Sequence, residues 1–117
     1  LRLDWSALSD RLSRAQSLYV LGRGPAFAIA NEVALKFKET CGLHAESFSA
    51  AEVLHGPSAI VQAGFPVLAL GVDDAALPRL TETATRLAAQ GADVFLTGVI
   101  YNDLNANQFY NVNEVVT

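Results

Sequence analysis

The apolar run Leu18-Tyr19-Val20-Leu21 ends on Gly22-Arg23-Gly24-Pro25 and leads straight into a segment whose apolar residues recur at helical spacing. Consecutive apolar residues bounded by turn residues read as a strand buried on both faces, which requires layers above and below the sheet. Pro25 suits the first turn of the following helix, where a missing N–H costs nothing. Phe27, Ala30, Ala34 and Phe37, with Leu35 beside them, give that helix an apolar face up to Cys41-Gly42. A strand, a glycine turn and a returning helix build parallel sheets through right-handed crossovers.

The same alternation continues in both directions. Trp5, Leu8, Leu12 and Ala15 mark an amphipathic helix with Asp4, Ser6 or Ser9 as cap and an end near Gln16. Leu43 to Phe48 reads as a second strand, and Ser49 caps a brief helix over Ala50 to Leu54 that stops at His55-Gly56-Pro57. Phe65 to Gly71 is a third strand, with Pro66 at its start where the ladder tolerates it. Ala75 to Gln90 carries Leu77, Leu80, Ala84, Leu87 and Ala88 and stops at Gly91, and Asp93 to Thr97 is a fourth strand. Phe109 to Val116 is a candidate fifth, reached through an asparagine-rich connection that reads as an exposed loop. The order predicts one α/β domain: a three-layer αβα sandwich, Rossmann-like, around about five mainly parallel strands.

A chain of 117 residues has room for one compact core, and its 51% hydrophobic and 17% charged content suits such a core rather than a disordered segment. The formal charge of −4 and the lack of any run of Lys and Arg along the chain argue against nucleic acid as a partner. The longest apolar stretches fall far short of the ~20 residues that cross a membrane as a helix. The lone Cys41, with no secretory signal ahead of it, points to the cytoplasm. A first residue other than Met, and no Met anywhere, lead us to expect a segment of a longer protein.

Several polar residues are candidates for chemistry. Gly22-Arg23-Gly24 sits between a strand and a helix, where free N–H groups and the helix dipole favour an anion. Phe27 replaces the third glycine of a dinucleotide fingerprint, so no nicotinamide cofactor is expected. Gly71-Val72-Asp73-Asp74, after the third strand, carries carboxylates where a phosphate loop would need hydroxyls, so this region is not expected to grip phosphate. Lys36 can pair with Glu32 or Glu39 on a solvated helix face, although Glu39 meets the negative end of the helix dipole. His44, Glu46 and His55 are too sparse for a metal site, and no metal is expected. His55, on a fixed Gly-Pro turn, suits moving a proton on and off a sugar oxygen.

Taken in order, Leu21-Gly22-Arg23-Gly24, Ala34-Leu35-Lys36-Phe37-Lys38-Glu39, His44-Ala45-Glu46-Ser47-Phe48-Ser49-Ala50-Ala51-Glu52 and His55-Gly56-Pro57 resemble the sugar isomerase (SIS) domain family. The match is to the second SIS domain of glucosamine-6-phosphate synthase and of related phosphosugar isomerases and deaminases. It holds from Leu18 to Leu96 and fades after Thr97, leaving 98–117 as an atypical tail. The resemblance implies that Glu39 is the base moving a proton between C1 and C2 of a sugar phosphate, with Lys36 in the same site. It also implies that His55 serves ring opening in a neighbouring subunit's site, and that Gly22, Arg23, Gly24 and Glu52 belong to the substrate-binding set.

In that family the hydroxyl-rich phosphate loop belongs to the first SIS domain, and a closing C-terminal tail supplies a lysine; neither is present in this sequence. A helix from Pro25 to Glu39 also puts roughly 20 Å between the glycine turn and Glu39. The site is therefore expected to be composite, shared with a sister SIS domain or a second copy, with Ala30, Ala34 and Phe37 as the contact surface. The isolated chain is expected to bind sugar phosphates weakly. Two other readings stay open: a non-catalytic phosphosugar-sensing or dimerisation module, and an isolated or engineered α/β fragment.

Overall fold

The computed structural model describes residues 6–71, 75–98 and 110–111. After a short helix α1 (Ser6–Leu12), the chain runs through β1 (Ser17–Gly22), α2 (Pro25–Cys41) and β2 (His44–Ser49). Two 3-10 turns, Glu52–Leu54 and Pro57–Ile60, lead to β3 (Pro66–Gly71), α3 (Leu77–Ala89) and β4 (Asp93–Gly98). The strands form one parallel sheet in the order β2-β1-β3-β4. Tyr110–Asn111 adds a parallel two-residue pairing to Phe95 and Leu96; the rest of the candidate fifth strand lies outside the described residues.

The period of two along each strand divides the core into two layers. Leu18, Val20, Ala45, Leu68 and Phe95 point to one face and pack with Leu8 of α1 and Ala30 and Ala34 of α2. Tyr19, Leu21, Val67, Ala69, Val94 and Leu96 point to the other and pack with Leu80, Ala84 and Leu87 of α3 and with Ala50, Val53 and Val61. Every residue of β1 from Leu18 onward is buried, as its uninterrupted apolar run predicts.

Helix α2 buries Ala26, Ala30 and Ala34, a stripe four residues apart that brings its backbone close to the sheet. That approach explains Gly22: a Cβ built there would lie 2.4 Å from the Ala26 carbonyl oxygen, closer than real Cβ contacts ever come. At its other end α2 stops on Gly42, whose left-handed conformation (φ 61°) lets the N–H groups of Gly42 and Leu43 take up the Lys38 and Phe37 carbonyls. Ala30 and Ala34 are thus spent on the chain's own core, 0% and 3% exposed. The expectation that they form an inter-subunit surface is corrected: small side chains on a helix serve helix-on-sheet contact as readily as helix-on-helix contact.

The brief helix expected over Ala50 to Leu54 is a 3-10 turn over Glu52–Leu54, and a second such turn, Pro57–Ile60, follows where no element was expected. Ser49 is not its N-cap residue, which is Ala51, yet its Oγ does accept from the Glu52 N–H at 3.1 Å. Both turns are too short for the helical periodicity on which sequence patterns rest. Arg11 ties α1 to the amino edge of the sheet, with Nε 2.7 Å from Asp93 Oδ2 and a terminal guanidinium nitrogen donating to the Gly64 carbonyl.

Candidate functional site

The candidate residues fall at two ends of the sheet. Parallel strands place all their carboxyl ends on one edge, and β1 delivers the Gly22-Arg23-Gly24 turn there. β2, in register with β1 from Ser17↔His44 to Gly22↔Ser49, delivers the segment carrying Glu52 and His55 to the same edge. Helix α2 runs back the other way, so Lys36 and Glu39 come out beside the amino ends of the strands.

The carboxyl-edge segment is held from three sides. Tyr19 Oη donates to the Pro57 carbonyl at 2.9 Å, and Thr83 Oγ1 donates to the Ala50 carbonyl at 3.0 Å. Gln90 Nε2 donates to the carbonyls of Ser58 at 3.2 Å and Val61 at 3.3 Å. The Tyr19 ring stands edge-on to Phe48 and Phe65, with centroids 4.9 and 4.8 Å away. Burial first, and the Glu46 carboxylate second, hold the Tyr19 phenol above its ordinary pKa. Gly56, between the two turns, takes φ 130°, a conformation open to glycine alone, and this fixes where His55 leaves the backbone. Glu52 and His55 themselves are exposed.

At the amino edge Lys36 Nζ lies 3.5 Å from Glu32 Oε1 and 3.6 Å from Glu39 Oε1. All three side chains are more than half exposed, so this is the solvated helix face read from the i, i+3 and i, i+4 spacing. Ile29 and Leu35 are exposed on the same helix, 52% and 43%. On the edge strand β2, His44 Nε2 is 3.5 Å from Glu46 Oε1. Among the described residues no group of three or more His, Cys, Asp or Glu converges as metal ligands do.

The structure brings Arg23 and His55 together in one pocket at the carboxyl edge and leaves Lys36 and Glu39 apart from them. That pocket also takes in Arg79, Glu82, Thr83 and Arg86, none of which the sequence reading singled out. A signal was available, since Arg79 and Arg86 stand two turns apart on the face of α3 that carries Thr83. The chain has no basic run in sequence, yet it assembles a basic pocket in space.

The SIS domain profile matches residues 11–106. The chain belongs to the SIS domain family. This SIS domain is 42% identical over 85 residues to a glutamine–fructose-6-phosphate aminotransferase (isomerizing) from Pyrobaculum aerophilum, a match covering 73% of this chain and 14% of that protein. It is 32% identical over 107 residues to the enzyme of the same name from Neisseria meningitidis serogroup A, covering 92% of this chain and 18% of that one. The chain thus spans less than a fifth of the curated relatives it matches.

Among solved structures, one from Silicibacter pomeroyi DSS-3, assigned to the phosphosugar isomerases, aligns with TM-score 0.74 and 55% identity over 81% of this chain and 29% of that one. The C-terminal domain of glucosamine-fructose-6-phosphate aminotransferase from Francisella tularensis aligns with TM-score 0.76 and 28% identity, covering 91% of this chain and 31% of that one. The SIS fold is thus reached from sequence and from structure. No helix among the described residues is long and apolar enough to cross a membrane.

Proposed function

We propose that this SIS domain is one half of a tandem pair in a cytoplasmic phosphosugar enzyme, an aldose–ketose isomerase or an aminosugar-phosphate deaminase or aminotransferase. It contributes to a site that a sister domain or second subunit completes. Glu39 is the base that takes the C1–C2 proton, Lys36 steadies the enediolate charge, and His55 exchanges the proton of the ring oxygen. Gly22, Arg23, Gly24 and Glu52 contact the sugar phosphate.

One observation carries this reading: Lys36 and Glu39 stand paired and solvent-facing on α2, with His55 on the other side of the sheet. A carboxylate base left in water is a weak catalyst; covered by a second surface it is held in place and its charge is less screened. The relatives' names, phosphosugar isomerase and fructose-6-phosphate aminotransferase, supply the substrate class. The test is a coupled assay converting fructose-6-phosphate to glucose-6-phosphate, run on the full-length parent and on Glu39→Gln. Turnover lost in the variant supports the assignment, and turnover kept removes Glu39 from it.

Exposed Ile29 and Leu35 beside that polar set favour a second reading, an SIS module that docks or dimerises without turnover. Sugar-phosphate binding with no conversion by the full-length parent would select it.

A further inference from the structure

Extending the sugar-phosphate contact assigned to Arg23 above, and resting on it, we propose that the pocket between Arg23, His55 and α3 is a binding site for a small phosphate anion, on the far side of the sheet from Glu39. The observation is one of pairing. Outside this pocket the described arginines are matched to carboxylates, Arg11 to Asp93 at 2.7 Å and Arg14 to Asp10 at 3.3 Å. Arg23, Arg79 and Arg86 make no such pair among the described residues, and all three line this one pocket. Among the described residues a single carboxylate, Glu82, shares it, and Glu82 too is without an ion pair there, so the described lining carries three guanidinium groups against one acid.

Gathering like charges without counter-ions is unfavourable, and an anion in their midst reverses the sign of the interaction. Arginine is suited to that anion, because its planar fork meets two phosphate oxygens at once. Arg23 is half-buried at the end of β1, which weakens solvent screening of its charge.

Position and size point the same way. From β1 the chain crosses through α2 to β2 on one side, while β3 lies on the other side of β1, so the strand order reverses between β1 and β3. In open α/β sheets ligands settle outside the carboxyl ends of the strands at such a reversal. Arg23 follows β1, and Arg79 and Arg86 belong to the helix that follows β3. The cavity is about 170 Å³. That is below the ~300–1,000 Å³ of pockets that enclose a drug-sized ligand, so it takes a phosphate group rather than a whole phosphosugar. Thr83 Oγ1, its hydrogen spent on the Ala50 carbonyl, stiffens the floor. His55 on the rim adds a donor when protonated.

The test is a titration of the whole chain with inorganic phosphate at low ionic strength, followed by amide NMR, with glucose-6-phosphate and glucose as further arms. Saturable shifts at 50–55 and 79–86 with a Kd of about 1–10 mM are expected. Glucose-6-phosphate should give the same shifts and glucose none. Arg79→Gln with Arg86→Gln, both exposed positions, should weaken phosphate binding at least ~10-fold, while Arg14→Gln on α1 leaves it within about two-fold. Absent shifts, or shifts indifferent to the double substitution, overturn the proposal. Glu39→Gln should leave phosphate binding untouched, so failure of the composite-site reading is told apart from failure of this one.

Discussion

Glu39 and His55 stand on opposite faces of the sheet and at opposite ends of its strands. Glu39 rides on α2, whose alanines pack against Val20 and Leu68, whereas the segment carrying His55 packs against Tyr19 and Leu21. No single pocket in one copy can hold both, so one substrate can meet the two only across a boundary between domains or subunits.

Replacing Glu39 by Gln in the full-length parent should therefore separate chemistry from folding. The amide keeps the shape and cannot accept a proton, and turnover should fall on the order of 100-fold or more. Stability should change by less than about 1 kcal/mol, since among the described residues the ion-pair partner of Glu39 is Lys36, at 3.6 Å on an exposed face. Steady-state kinetics beside a thermal melt will show whether the two effects part.

The docking surface is tested by two neighbouring substitutions on α2. Leu35, 43% exposed, can be changed to Arg without disturbing the core, and should dissociate any pair formed through this face with the melting temperature unmoved. Ala34, 3% exposed against the sheet, cannot. Ala34→Arg would place an unpaired guanidinium among Val20, Ala30 and Ala45, at a cost of about 3 kcal/mol or more. Loss of far-ultraviolet ellipticity is expected for Ala34→Arg, and a change of sedimentation alone for Leu35→Arg.

The difference between these two neighbouring positions of α2 shows what the sequence could and could not tell. Strands, helices and their alternation were legible because β1 is apolar throughout and α2 and α3 repeat their apolar residues at helical spacing. The Ser49 hydrogen bond and the Gly42 stop were legible because each has a local chemical cause. The apolar face of α2 was legible, but Ala30 and Ala34 on it were assigned to a partner surface rather than to the chain's own sheet, because alanine fits both. The arginine pocket was missed for another reason: Arg23 and Arg86 are far apart in the chain, and only the crossover through β3 brings them together.

Gly22 offers a test of that close helix approach. Alanine there would press its Cβ to 2.4 Å from the Ala26 carbonyl oxygen and 2.9 Å from the Phe27 nitrogen, both backbone atoms of the first turn of α2. The helix must shift off the sheet or the strand must bend, a strain of about 1–3 kcal/mol. Urea unfolding should report a lower midpoint for Gly22→Ala, while Gly42→Ala, with nothing within 4 Å of its added Cβ, should lose only the cost of its left-handed backbone.

Tyr19→Phe probes how the sheet holds His55, and pH supplies an independent readout. The substitution keeps the ring between Phe48 and Phe65 and removes the hydroxyl that donates to the Pro57 carbonyl at 2.9 Å. The loss should be about 1 kcal/mol, felt first as faster amide exchange between the two 3-10 turns. Burial and Glu46 raise the phenol above its ordinary 10.0. The folded chain therefore keeps this proton at pH values where the unfolded chain has released it. The associated stability is fully present below pH 10.0 and is lost as pH climbs through the higher folded value. Denaturant titrations from pH 8 to 11 should thus show stability falling above pH 10 in the unaltered chain and falling less steeply in Tyr19→Phe. Equal slopes would mean that the Tyr19 proton is not held by the fold, and the hydroxyl's grip on the His55 segment would then have to be sought in exchange rates alone.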